Sequence, residues 1–309
     1  MNISLQGING SLTALVTPVK DTELDLPALE RLAGRQIAHG TSGLVVCGST
    51  GEAQSLSTAE FGRAVSVVTG EAAGRVPVIA GCTSASTAAA IALAEAAARA
   101  GADGLLCAVP PYVKPTQCGI AAHIRAIAHA ADLPVVLYDV PGRSGVAIAD
   151  HTVAKLFEAE LIVGIKDATA DLSRPPRLRA LCGNLVQLSG DDATAAGYRA
   201  MGGDGCISVT ANVTPALCAQ LHRAWDSGER RGFAAVRDLL HPLHAALFLE
   251  SNPIPVKAAL NLLGLCGNEV RLPLTRAAPA TQERLLHLLP NLMTAEQHAL
   301  GRAAYALAS

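Results

Sequence analysis

The amino-acid sequence predicts an α/β protein, a (β/α)8 TIM barrel with a C-terminal α-helical appendix. Two observations favour this fold. Short apolar runs recur eight times with helix-length segments between them, and after residue 213 the pattern becomes helical. Strands that alternate with helices form βαβ units and a parallel sheet, and eight such units over about 210 residues suit a barrel, for which ~250 residues is typical.

The eight apolar runs have the length of buried strands. An open, doubly wound sheet is the alternative arrangement, but the chain has no G-x-G-x-x-G motif, which makes that arrangement weaker. The runs are LTALVT (12–17), GLVVCG (43–48), VPVIAG (76–81), GLLCAV (104–109), PVVLYDV (134–140), LIVGIK (161–166), LVQLSG (185–190) and GCISVT (205–210).

One pattern of glycines precedes three of the runs. HGTSGLVV, AGADGLLC and MGGDGCIS each place two glycines three residues apart, at positions 40 and 43, 101 and 104, and 202 and 205. We expect the first glycine of each pair to adopt the left-handed conformation that ends a helix, and the second to open the next strand. The repetition indicates one αβ loop that is used three times.

The chain divides into a strand-rich part and a helical part. We predict a barrel domain over residues 1–223 and a helical domain over residues 224–309, with no linker, low-complexity tract or charge block. Half of the 309 residues are hydrophobic, which is ample for a large core.

The composition argues against several classes of protein. Lysine and arginine total 24 against 26 acidic residues, and aromatic residues make up 3%, so the basic, aromatic stripe of a nucleic-acid-binding protein is missing. No run of about 18 or more apolar residues occurs and no positive charge precedes Lys20, so neither a membrane span nor a signal peptide is predicted. The eight cysteines are scattered without a C-x-x-C motif, which indicates reduced thiols and a cytoplasmic location.

Lys166 closes the apolar run LIVGIK, an unusual place for an ammonium group. Lysine is rarely buried without compensation, so the simplest interpretation is that the strand surfaces there and the side chain meets water. The predicted fold offers a second interpretation. Active sites of (β/α)8 barrels lie at the C-terminal ends of the strands, so Lys166 becomes a candidate functional residue.

Other chemically useful groups follow other predicted strands. The stretch GSTGE (48–52) could hold a carboxylate or phosphate through backbone N–H groups and hydroxyls, and later strands are followed by Tyr112, Tyr138 and Arg143. Taken singly, each is usually structural: a tight turn, a packed tyrosine or a solvated arginine. On one rim they form a coherent set. The set contains an amine that can attack carbonyls, phenols that can transfer protons and a guanidinium that can bind a carboxylate. Together these groups predict Schiff-base chemistry on a 2-oxo acid.

Five motifs occur in order along most of the chain: GSTGE, YDVPGRSG, GIKDAT, SGDDA and GCISVTANV. With them, the chain from about residue 8 to about residue 290 resembles the dihydrodipicolinate synthase / N-acetylneuraminate lyase family of class I aldolase-type barrels. The resemblance implies that Lys166 forms a Schiff base with pyruvate and that Tyr138 is the central acid/base. It implies that Thr50 and its backbone bind the pyruvate carboxylate, and that Gly190 and Ile207 line the pocket.

The synthase branch of that family fits best. Arg143 matches the arginine with which synthases hold the carboxylate of the second substrate, and ESNPIPVKAAL (250–260) and LPLT (272–275) also resemble the synthases. The implied reaction condenses pyruvate with L-aspartate 4-semialdehyde to 4-hydroxy-tetrahydrodipicolinate on the lysine biosynthesis route. No metal and no cofactor is expected.

Ser49 departs from the synthase pattern, because synthases commonly have two threonines where this chain has Ser49-Thr50 and the lyases often have Ser-Thr. Its hydroxyl can still serve a proton relay between Tyr138 and Tyr112, but it lacks the methyl that limits the rotamers of threonine. N-acetylneuraminate lyase or another 2-keto-acid aldolase therefore remains an alternative. A non-catalytic ligand-binding barrel is the alternative from a different class.

The resemblance also implies assembly. Tyr112 matches the tyrosine that reaches into a neighbouring subunit's site, which predicts a homo-oligomer of at least a dimer, and the family suggests a tetramer built as a dimer of dimers.

Inhibition by free lysine is not expected. Many synthases bind lysine at the dimer interface with polar and charged side chains, and this chain lacks most of them. The residues at the aligned positions are Ala53, Gln54, Thr58, Phe61, Ala85, Ala89 and Pro111.

Overall fold

Eight parallel strands close into a barrel, and each overlaps one of the predicted apolar runs. The computed structural model describes residue 5 and residues 8–308, with side chains up to residue 301. In chain order the strands are β1 (Gly10–Ala14), β2 (Val19–Lys20), β3 (Glu23–Leu24), β4 (Gly43–Val46), β5 (Val78–Gly81), β6 (Gly104–Ala108), β7 (Val135–Asp139), β8 (Gly164–Asp167), β9 (Val186–Ser189) and β10 (Gly205–Ser208).

The barrel strands follow chain order around the ring, and β1 closes it by pairing in parallel with both β4 and β10. Strands β2 and β3 form a separate antiparallel pair that the apolar runs did not predict, since each has only two residues. Side chains fill the interior of the barrel, as in other folds of this class. They include Leu12, Val45, Ile79, Leu106, Val136, Tyr138, Leu188 and Ile207.

Helices separate most of the strands and cover the outside of the barrel. Helix α2 begins with a capping box in which the Glu60 amide donates to Ser57 Oγ and the Ser57 amide donates to Glu60 Oε2. The helices are α1 (Leu26–Ala38), α2 (Thr58–Ala72), α3 (Thr87–Arg99), α4 (Gln117–Ala131), α5 (Pro141–Ser144), α6 (Asp150–Glu158), α7 (Arg174–Cys182), α8 (Ala195–Ala200), α9 (Pro215–Asp226), α10 (Arg230–Ala246), α11 (Ile254–Leu262) and α12 (Pro279–Ala308).

The repeated glycine loop is confirmed. Gly40, Gly101 and Gly202 have φ angles of +88°, +83° and +98°, in the left-handed region that favours glycine. Three residues after each of them, the second glycine of the pair is the first residue of β4, β6 or β10.

The C-terminal helices pack as an appendix on the barrel. Glu296 of α12 accepts hydrogen bonds from the amides of Ala216 and Leu217, at 2.8 and 2.9 Å, and so satisfies the first turn of α9. Residue 223 lies inside α9, and the division into domains at 223/224 stays a prediction. Within the described residues, no helix combines the length and apolar character that crossing a membrane requires.

Candidate active site

Lys166 and Tyr138 lie side by side inside the barrel. They are register partners on β8 and β7, and their side chains are buried, at 6% and 7% exposure. Lys166 Nζ lies 4.4 Å from the centre of the Tyr138 ring. The interpretation in which Lys166 points into water is therefore wrong, since β8 continues to Asp167. The face of the Tyr138 ring offsets part of the free-energy cost of burying the ammonium group.

Gly190 and Ile207 lie beside this buried pair, and their role in lining a substrate pocket stays a prediction. A Cβ on Gly190 would lie 3.1 Å from Lys166 Cε and 3.2 Å from Lys166 Cγ, so the absence of a side chain makes room for the lysine stem. Ile207 is fully buried and belongs to the same interior cluster as Tyr138.

The GSTGE loop after β4 is tightly wound. Glu52 has a φ angle of +53°, and the amides of Gly51, Glu52 and Ala53 all donate to carbonyl groups within the loop, at 3.0 to 3.3 Å. Among the described residues, no hydrogen bond engages the amides of Ser49 and Thr50. Two backbone donors are thus left for an anion.

Asn252 links the two predicted carboxylate-binding residues, although it belongs to the appendix. Its Nδ2 donates to Thr50 Oγ1 at 2.9 Å, and its carbonyl oxygen accepts a hydrogen bond from Arg143 Nη2 at 3.3 Å. Thr50 and Asn252 are buried, whereas Arg143 is exposed in the short helix α5. Since Thr50 Oγ1 accepts from Asn252, the Thr50 hydroxyl proton is free to donate to a ligand.

A cleft of about 550 Å³ lies between the GSTGE loop, helix α5 and the appendix. Its size falls in the range of ligand sites for small molecules. Ala108 lines the cleft and is the register partner of Tyr138, so the cleft reaches the strand ends beside the buried pair. Ser49, Val140, Arg143 and Asn252 also line it.

Of the predicted site residues, Ser49 and Arg143 line the cleft, whereas Tyr112 neither lines it nor lies in the buried interior with Lys166 and Tyr138. Its side chain is 94% exposed, and its backbone has a φ angle of +73°, which is uncommon for a residue with a side chain. Pro111 beside it does line the cleft. The Tyr112 side chain is therefore open to solvent, next to a residue that lines the cleft.

A buried ion pair joins the GSTGE loop to the appendix. The sequence motifs did not predict it. Lys257 is completely buried and pairs with Glu52, while Glu52 also accepts the amide of Arg271 at 2.8 Å. Burial lowers the pKa of Lys257, and the Glu52 carboxylate opposes that change. In the sequence, the only indication of this ion pair is that Lys257 stands inside the apolar stretch IPVKAAL.

The fold and the interior site define a class of protein: a (β/α)8 barrel enzyme with a buried lysine–tyrosine pair at the C-terminal ends of neighbouring strands. The model of the dihydrodipicolinate synthetase family matches residues 7–292, and the chain belongs to that family.

Curated relatives cover almost the whole chain. The 4-hydroxy-tetrahydrodipicolinate synthase of Parvibaculum lavamentivorans is 49% identical over 278 residues, which is 90% of this chain and 96% of the relative. The 4-hydroxy-tetrahydrodipicolinate synthase of Rhodospirillum centenum is 50% identical over 275 residues, which is 89% of this chain and 94% of the relative.

Solved structures of the same family superpose closely. The chloride-inhibited dihydrodipicolinate synthase of Acinetobacter baumannii complexed with pyruvate matches with a TM-score of 0.89 at 42% identity, over 92% of this chain and 99% of that chain. A monomeric dihydrodipicolinate synthase variant matches with a TM-score of 0.90 at 40% identity, over 93% and 97%.

Proposed function

We propose that the protein is a Schiff-base-forming lyase that condenses pyruvate with L-aspartate 4-semialdehyde to 4-hydroxy-tetrahydrodipicolinate, a step of lysine and diaminopimelate biosynthesis. The observation that carries the proposal is the position of Lys166, buried against Tyr138 where the cleft meets the strand ends. Relatives about half identical to this chain bear the name of that synthase, which supports the same reaction here.

The GSTGE loop binds the carboxylate of pyruvate. The Thr50 hydroxyl, whose oxygen already accepts from Asn252, donates its proton to one carboxylate oxygen. The unengaged amides of Ser49 and Thr50 supply further donors. Hydrogen bonds to a charged acceptor are about twice as strong as neutral ones, so this cradle fixes the orientation of the keto acid.

Lys166 performs the covalent step. Its deprotonated amine attacks C2 of pyruvate, the carbonyl oxygen leaves as water, and an imine joins the two. A proton then leaves C3, which gives an enamine. Tyr138 is in contact with the amine and serves as the proton donor and acceptor for these transfers.

The second substrate enters from the cleft, where Arg143 binds its carboxylate. C3 of the enamine attacks the aldehyde carbon, so that a carbon–carbon bond and a hydroxyl form. The amino group of the second substrate then attacks C2 of the imine, closes the ring and releases Lys166 with its amine restored. One water is released in total.

Protons reach the site through a relay from Tyr138 through the Ser49 hydroxyl to the partner subunit's Tyr112. Exposure of Tyr112 in the single chain supports this arrangement. The active form is therefore a homo-oligomer, which we propose to be a tetramer of two dimers. All eight cysteines are free thiols, which supports a cytoplasmic setting for the reaction.

Trapping with borohydride tests the mechanism. Incubation with pyruvate and sodium borohydride should add a reduced pyruvate adduct to the peptide that contains Lys166. The peptide that contains Lys257 is the internal control, because that lysine is buried in an ion pair and should stay unmodified. A folded protein with an unmodified Lys166 would overturn the proposed chemistry.

N-acetylneuraminate lyase is the second candidate function, and Ser49 is the residue that favours it. Rates measured with aspartate semialdehyde and with N-acetylmannosamine, each at saturating pyruvate, separate the two. We expect a clear preference for aspartate semialdehyde.

A further inference from the structure

A cluster of buried charges lies on the outer side of strands β7 and β8. Arg174, the first residue of α7, is 3% exposed and donates from Nη1 to Asp139 Oδ2 at 2.7 Å, with Asp167 Oδ1 at 3.4 Å from the same nitrogen. Its Nε donates to Asp150 Oδ1 at 2.9 Å, and its Nη2 donates to the carbonyl oxygen of Ile148 at 2.7 Å. One guanidinium thus connects two strand ends to Ile148 and to Asp150, the first residue of α6.

The two strand carboxylates adjoin the two reactive residues. Asp139 follows Tyr138 on β7, and Asp167 follows Lys166 on β8. Successive side chains of a strand point to opposite faces, so the aspartates point outward where the tyrosine and lysine point inward. The register pairs Tyr138 with Lys166 and Asp139 with Asp167. Arg174 therefore binds side chains on the outer face of the two strand ends, and Tyr138 and Lys166 lie on the inner face of the same strand ends.

The cluster resists displacement because Arg174 and the two strand aspartates are buried. Asp139 has no exposed surface, and one of its carboxylate oxygens has no hydrogen-bond partner in the described residues, so Arg174 is its principal compensation. Burial raises the pKa of Asp139, and the Arg174 charge opposes that change. A charge left unpaired at this depth is costly, so the strands cannot shift relative to Arg174 without loss of stability.

We propose that Arg174 is a positioning residue for the Schiff-base reaction, which sets the spacing of Lys166 and Tyr138 by holding Asp139 and Asp167. The inference rests on the proposed function. Arg177 provides a contrast, because it is half-exposed and pairs with Asp150 and Asp171, and within the described part of the chain no strand residue is among its partners.

The test compares Arg174→Lys with the matched control Arg177→Lys. Lysine keeps the charge, but its single ammonium nitrogen cannot hold the strand carboxylates as Nη1 does while Nε and Nη2 bind Asp150 and the Ile148 carbonyl. In Arg174→Lys, we expect kcat of condensation and the rate of borohydride trapping at saturating pyruvate to fall at least about tenfold. Such rates depend on the placement of the reacting groups to within about an ångström. KM for aspartate semialdehyde should stay within about twofold of the wild-type value. Arg177→Lys should keep all three values within about twofold of the wild type, since it leaves the strand ends untouched.

Circular dichroism and the melting temperature show whether each variant is folded at the assay temperature. A folded Arg174→Lys with a wild-type kcat, and only a lower melting temperature, would limit the cluster to a structural role and overturn the inference.

If Arg174→Lys does not fold, Asp139→Asn replaces it, because the amide oxygen of the asparagine can still accept a hydrogen bond from the Ile148 amide. It should lower kcat with KM unchanged, and an unchanged kcat would overturn the inference. Wild-type protein that forms no pyruvate adduct would overturn the proposed function, and the positioning role with it.

Discussion

Gly190 packs against the stem of Lys166 so closely that no larger residue fits without movement. A Cβ at this position would meet Ala168 Cβ at 2.9 Å and Lys166 Cε at 3.1 Å. The distance between the amine and Tyr138 thus depends on Gly190, the residue that follows β9 and performs no chemistry itself.

We predict that Gly190→Ala lowers the rate of adduct formation with pyruvate by about tenfold or more, because it pushes the Lys166 stem away from its present position. Gly70→Ala in α2 is the matched control, since no described atom lies within 4 Å of a Cβ at that position. That change should leave the rate unaltered and stabilise the helix by roughly 0.5–1 kcal/mol. Equal trapping rates in both variants would contradict the steric role of Gly190.

Arg143→Ala should separate the two half-reactions. Removal of a charged hydrogen bond costs ~1.5–3 kcal/mol, so condensation with aspartate semialdehyde should slow at least about tenfold. Trapping of the pyruvate adduct should continue at close to the wild-type rate, because Arg143 lies in the cleft and does not contact Lys166. Near wild-type condensation, together with a preference for sugar aldehydes, would instead favour the lyase.

Assembly can be tested through Tyr112. If this exposed side chain completes a neighbour's relay, an isolated monomer should be nearly inactive, and sedimentation at assay concentration should show a dimer or a tetramer. Tyr112→Phe should lower kcat without changing the sedimentation coefficient, because only the hydroxyl is lost. A fully active monomer would contradict the relay.

Free lysine should not inhibit the enzyme at moderate concentration. Ala53, Gln54 and Pro111 line the cleft, and Phe61 of α2 is buried in the core. Ala89 is exposed in the first turn of α3, and its methyl side chain supplies no carboxylate for an ammonium group. A loss of ~4 kcal/mol would weaken binding about a thousandfold.

The measurement for lysine is the initial rate at saturating pyruvate as lysine rises into the millimolar range. Norleucine, which has no side-chain ammonium group, is the control. Half-inhibition below about one millimolar, equivalent to roughly 4 kcal/mol of binding free energy, would show that the site is present after all.

Much of the architecture was predictable because it depends on local patterns. Each barrel strand is an apolar run long enough to be recognised, and Gly40, Gly101 and Gly202 mark loops whose backbone geometry only glycine adopts easily. Lys166 stood out for the same reason, as a charge at the end of an apolar run. The rule that barrel enzymes work at the C-terminal strand ends then grouped it with Tyr138 and Arg143.

The sequence by itself determined the fold class, the barrel strands and the choice of Lys166 as the candidate Schiff-base lysine, since these follow from periodicity, turn chemistry and contiguous motifs. Only the tertiary structure decided that Asn252 bonds Thr50, that Lys257 pairs with Glu52 and that Arg174 grips Asp139. The first two contacts join residues 202 and 205 positions apart, and the third joins residues 35 positions apart. Burial of a charge depends on what the rest of the chain packs around it, and no local pattern carries that information.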